Sequence, residues 1–202
     1  MGRNTGNITK KNLLFQSFVL FSSKPYDKVT FPDIEKATGL SRGAILYHFA
    51  SKQAIFNAVV ESSLLSRSLF LDLPVKEKNP LENFILDFIK NCSITVKEMA
   101  KSGIKNINLA HYNIENQALY FYDQFDKLSK QMHSTEIKVW SQVVKKAQEK
   151  NEIKKTFDAE LLANLFLDTY YGHAFAAAKE EKGCNLEFLL KELMLVREMF
   201  LK

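Results

Sequence analysis

Between Thr30 and Lys52, in TFPDIEKATGLSRGAILYHFASK, the chain gathers side chains suited to gripping an anion and reading a planar edge. Arg42 carries a forked guanidinium whose paired donors suit guanine O6 and N7. Gly43 and Ala44 follow it and are short enough for close approach, with the Ala44 methyl fit to meet a thymine methyl. Tyr47 and His48 can donate to phosphate oxygens, and Lys52 sets a point charge beside helix N–H groups. Thr30 and Ser41 place hydroxyls at two helix starts. Nothing comparable exists for catalysis. His111, His173, Asp168 and Glu180 are scattered, and no HExxH, GxSxG, phosphate loop or Cys/His cluster occurs. An enzyme is the weaker reading, and no metal or cofactor is expected.

Helices must position these groups. Thr30 is the cap of one, with Pro32 in its first turn, Asp33 three residues after the cap, and Gly39 where a left-handed residue ends it. Ser41 caps the next, Arg42 to Phe49, with Ile45 and Phe49 turned to the core. A further helix begins at Ser51 and runs through Ile55, Phe56, Val59 and Val60. Before the pair, residues 9–22 put Leu13, Leu14, Phe18 and Phe21 on one face, and Lys24-Pro25-Tyr26-Asp27 breaks the helix. This is a helix-turn-helix head, and double-stranded DNA is the expected partner.

Charge placement agrees. The chain of 202 residues holds 28 Lys/Arg and 23 Asp/Glu. Its first sixty residues contain eight of the bases and three of the acids, which leaves twenty of each elsewhere. The net charge of +5 therefore sits in the segment that carries the motif.

The tract GLSRGAILYHFASK resembles the TetR family of bacterial transcriptional regulators, whose pattern is G-[VLI]-S-x-G-x-[LI]-Y-x-[HY]-F-x-[SN]-K. Gly39, Ser41, Gly43, Phe49 and Lys52 fall on it, and Phe21, Tyr26, Thr30, Asp33 and Ile34 keep the upstream spacing. Leu46 departs from it, standing where the family has a backbone-contacting Tyr, with Tyr47 beside it. Pro25 replaces a common glycine. The resemblance implies DNA contacts at Thr30, Ser41, Arg42, Gly43, Ala44, Tyr47, His48 and Lys52. It also implies a body that holds an inducer and a homodimer that reads a pseudo-palindromic operator, with repression as the expected mode and the cytoplasm as the expected location.

All four prolines lie in the first 80 residues, and periodic apolar spacing fills the rest, so the protein reads as all-α with about nine helices. The linker DLPVKEKNP suggests a DNA-binding domain over 1–72 and a ligand-binding and dimerisation domain over 73–202. In the second, helices are expected near 81–101, 104–110, 116–150, 158–181 and 186–201. Leu161, Leu165, Phe166, Leu189, Leu193, Val196 and Phe200 are expected to form the dimer interface. His111, Tyr112, Tyr120, Phe125, Trp140, Tyr171 and His173 are expected to line a pocket for a small hydrophobic or amphipathic effector. Control by a protein partner in place of a small ligand is the alternative. Cys92 and Cys184 are far apart in sequence and read as reduced thiols, and no run is apolar enough to span a membrane.

Overall fold

A computed structural model describes the backbone of residues 2–67 and 69–202 and the side chains of 9–65 and 69–202. Among the described residues the fold is all-α, with nine helices and no strand: α1 Gly2–Ser23, α2 Phe31–Thr38, α3 Arg42–His48, α4 Lys52–Arg67, α5 Pro80–Lys101, α6 Ile107–Phe121, α7 Phe125–Glu149, α8 Ala159–Ala177 and α9 Leu186–Glu198. None of these helices is long and apolar enough to cross a membrane. The chain forms two compact units, a head of 1–67 with 110–128 and a body of 68–109 with 129–202.

The head core is built from Leu13 and Phe21 of α1, Ile34 of α2, Ile45 of α3, and Ile55, Phe56, Val59, Val60 and Leu64 of α4. Ile114, Ala118 and Phe125 complete it. The expectation of a break near 111–115 is corrected, because α6 runs unbroken from 107 to 121. Its polar residues there are docking groups. Asn113 Nδ2 donates to the Ser22 carbonyl and Gln117 Nε2 to that of Phe21, both at 2.8 Å. Two carbonyls that α1 leaves open at its end are satisfied in this way.

The body core is aromatic. The Trp140 ring stacks on Phe166 at 5.2 Å and 7°, while Phe84 and Phe88 meet it edge-on at 5.0 and 6.2 Å. Trp140 is fully buried and its Nε1 has no hydrogen-bond partner among the described residues. Cys92 and Cys184 both pack in this cluster despite their separation in sequence. Burial pushes the Cys92 thiol up to about 12 and that of Cys184 up to about 11, so both are protonated at neutral pH.

Long-range polar contacts lock the body's helix ends. Pro80 opens α5 after Asn79, whose side chain supplies no cap. The Glu152 carboxylate does so from 71 residues away, accepting from the N–H groups of Leu81 and Glu82 at 2.9 and 3.0 Å. Arg197 of α9 donates to Glu152 at 2.7 Å and to Glu82 at 2.9 Å.

The residues expected at the dimer face divide by burial, with Leu161 and Leu165 exposed. Phe166, Leu189 and Leu193 are fully buried in the body's own core, and Val196 and Phe200 pack against it. The apolar residues left outside on the last two helices are Leu161, Leu165 and Phe175 of α8, with Phe188 and Leu195 of α9 and Met199 just beyond it. The 3.6-residue period marks two apolar stripes here, and periodicity alone does not say which one faces inward.

Asn106 is buried behind α8. Its Nδ2 donates to the carbonyls of Ala177 at 2.9 Å and Glu180 at 2.7 Å, and its Oδ1 accepts from Leu109 N–H. Gly183 adopts φ +73°, and a Cβ there would lie 2.9 Å from Asn106 Oδ1. Gly183→Ala is expected to lower stability by about 1–3 kcal/mol through left-handed strain and displacement of that bond. Urea denaturation checks this, and Asn106→Ala is expected to fall by a similar, roughly 1–3 kcal/mol amount.

Candidate nucleic-acid interface

The turn that presents α3 is assembled from caps. Thr30 Oγ1 accepts from Asp33 N–H at 3.4 Å and donates to Asp33 Oδ2 at 2.7 Å, while Thr30 N–H donates to the same oxygen at 2.9 Å. Lys24 pairs with the other carboxylate oxygen at 3.1 Å. The Thr30 bonds, seconded by Lys24, hold the Asp33 carboxyl down at about 2. This cap therefore contributes stability above the ordinary carboxylate range and loses it as pH falls towards 2. Gly39 closes α2 at φ +70°, and Ser41 Oγ caps α3 by accepting from Ala44 N–H at 3.3 Å.

Only Ile45 of α3 is fully buried, with Phe49 just beyond it also in the core. Arg42, Gly43, Leu46 and Tyr47 are exposed, and Ala44 and His48 lie at the margin. Tyr47 is 86% exposed, its ring edge-on to His48 at 5.3 Å. The Arg42 guanidinium lies 4.6 Å from the centre of the Phe31 ring. A Cβ added at Gly43 would meet nothing within 4 Å, so the head's own packing does not demand glycine there. Glycine costs a helix about 1 kcal/mol relative to alanine. The missing side chain opens space only outward.

Two of the expected phosphate contacts have partners within the head. Lys52 Nζ donates inward to the carbonyls of Tyr26 at 2.9 Å and Val29 at 3.0 Å, and rests 4.2 Å above the Tyr26 ring. It clamps the turn before α2, because those carbonyls lie within reach of its first-turn position on α4. The Thr30 hydroxyl is engaged by Asp33 in the cap. Lys10, Lys11 and Lys36 remain exposed in the head.

The residues expected to line an effector pocket fall in both units. In the head, the His111 ring bonds Ser63 at 2.7 Å beside Phe18, and Phe125 is buried in the core. Tyr112 is exposed, while Tyr120 is 81% exposed at a shallow crevice shared with Gln53, Asn57 and Gln124. In the body, Trp140 is sealed in the core, the Tyr171 hydroxyl donates to buried Glu136, and His173 pairs with Glu192 at 2.7 Å. Among the described residues no three His, Cys, Asp or Glu side chains are placed to hold a metal ion.

Sequence reasoning missed the polar ties within the head. The Tyr26 hydroxyl donates to Gln53 Oε1 at 2.8 Å, and Gln53 Nε2 reaches the Phe121 carbonyl. The Tyr122 hydroxyl donates to Glu61 at 2.8 Å, and burial, seconded by that bond, pushes its pKa up to about 12. No spacing rule reveals such pairs, since their partners lie 27 to 68 residues apart.

Residues 13–59 match the family model described as bacterial regulatory proteins, tetR family. The chain is 25% identical over 184 residues to the biofilm operon icaADBC HTH-type negative transcriptional regulator IcaR of Staphylococcus aureus strain Newman, covering 86% of this chain and 91% of that protein. The IcaR of Staphylococcus epidermidis is 27% identical over 78 residues, 39% of this chain and 40% of that protein. The crystal structure of regulatory protein TetR from Rhodobacter sphaeroides shares the fold with a TM-score of 0.70 at 18% identity, covering 95% of this chain and 98% of the other. A TetR family regulator from Cytophaga hutchinsonii does so at 0.72 and 16% identity, over 97% and 96%. Residues 13–59 thus carry the segment that defines the tetR family of bacterial regulatory proteins, and the chain as a whole is similar to transcriptional regulators of that kind and shares their fold.

Proposed function

We propose that this regulator is a homodimeric repressor that grips a pseudo-palindromic operator with α3 of each copy and is released by a small hydrophobic or amphipathic effector. The observation that carries the DNA-reading surface is the outward face of α3, where Gly43 is free of any internal packing demand and Arg42 and Tyr47 stand exposed. Ser41, Ala44 and His48 border it, and Thr30 contributes through its cap. Repression is supported by the similar staphylococcal proteins, which are named as negative regulators.

Homodimerisation is supported by the apolar residues that α8 and α9 leave in solvent, Leu161, Leu165, Phe175, Phe188 and Leu195, with Met199 after α9. A second copy burying them would set two heads about a two-fold axis, which is the arrangement a palindrome matches. Effector control is supported by the aromatic body core with its unbonded indole N–H. It is also supported by the path of α6, which runs on in sequence from body residues while its length from Ala110 packs in the head. An effector that binds one arrangement better than the other shifts the population between them.

Selection from a random DNA pool is expected to return an inverted repeat whose binding weakens steeply with salt. Loss of selectivity in every salt would sink the reading. Gly43→Ala is expected to keep or raise thermal stability, by up to about 1 kcal/mol. It should weaken operator binding roughly tenfold, the size of one misplaced base contact. Lys52→Met is expected to destabilise the head by about 1–3 kcal/mol, since two carbonyls lose their donor. Its folded fraction should still bind operator nearly as well, read by titration against active protein. Leu165→Glu combined with Phe188→Glu is expected to give a monomer in sedimentation velocity, and an unchanged dimer would reject this interface.

A further inference from the structure

We propose that Phe31 is a positioning residue for Arg42, and that this cation–π pair sets discrimination at one base pair of each operator half-site. The proposal rests on the DNA-binding reading above. Phe31 opens α2 and Arg42 opens α3, and both helix starts are fixed by the caps of Thr30 and Ser41 and by the left-handed turn at Gly39. The distance between the two residues is therefore set by rigid backbone. Phe31 is partly buried and packs against the head core, while its ring carries the Arg42 guanidinium at 4.6 Å.

The electrostatic setting favours that contact. Arg42 makes no ion pair among the described residues, and Asp33, the acid in the first turn of α2, is engaged by Thr30 and Lys24. A guanidinium over an aromatic face keeps its N–H groups in plane and pointing outward, so stacking narrows its rotamers without consuming its donors. A free arginine would lose that freedom only on binding. The planar edge that accepts two parallel hydrogen bonds in the major groove is guanine O6 and N7. Lysine at position 42 would keep the charge but neither stack nor fork.

The experiment measures affinities of the full-length protein for its selected operator and for the same duplex with each half-site guanine replaced in turn. Phe31→Leu, which keeps apolar packing but removes the ring, is expected to reduce discrimination at one position by about three- to fivefold. Phe31→Tyr should stay within about twofold of wild type, since the face is retained. In an Arg42→Ala background Phe31→Leu should add nothing, which a merely structural role would not produce. Should Phe31→Leu melt early, Arg42→Lys, which leaves Phe31 in place, is expected to lose the same discrimination while keeping salt-dependent non-specific binding. Equal weakening on every duplex would assign Arg42 to a phosphate and overturn the proposal, as would additive effects in the double variant. If wild-type protein selects no sequence at all, the DNA-binding reading itself falls. Selection with unaltered discrimination in Phe31→Leu and Arg42→Lys overturns only the role of this pair.

Discussion

A helix of seven residues has almost no stability of its own, so α3 depends on its surroundings in the head to stay in place. Ile45 within it and Phe49 just after it reach the core. The rest of its order comes from outside, from the Ser41 cap, the left-handed turn at Gly39, and the α2 start pinned by the Thr30 and Asp33 box. The Lys52 clamp on the Tyr26 and Val29 carbonyls ties the preceding turn to α4. With so little surface buried, the remainder of α3 stays outside, where side chains can address a partner without disturbing the core.

The same economy explains α6. Its apolar residues Ile114 and Ala118 fill the head core while Asn113 and Gln117 satisfy the open carbonyls of α1. A shift of α6 would therefore break hydrogen bonds and packing together, which makes its position coupled to the order of the head. In the body, Glu152, Arg197 and Glu82 play the corresponding part by tying the start of α5 to α9.

Local chemistry was legible where it repeats a motif. Thr30, Asp33, Gly39 and Ser41 act as the caps and turn that their types suggest, because capping is decided within three or four residues. Residues whose partners are remote were not. Lys52 has the type and helix position of a phosphate contact, yet its ammonium turns to carbonyls 23 and 26 residues back. Leu189 and Leu193 carry the same apolar spacing whether they face their own core or a second copy.

The sequence by itself determined the all-α class, the helix-turn-helix and the concentration of positive charge in the first sixty residues, since periodicity, caps and composition are properties of neighbouring residues. Tertiary structure alone decided which stripe of α8 and α9 is buried, where Lys52 points, that α6 belongs to the head core, and that Phe31 meets Arg42. Those outcomes depend on which helices pack together, and the free energy of packing is shared among residues that the chain keeps far apart.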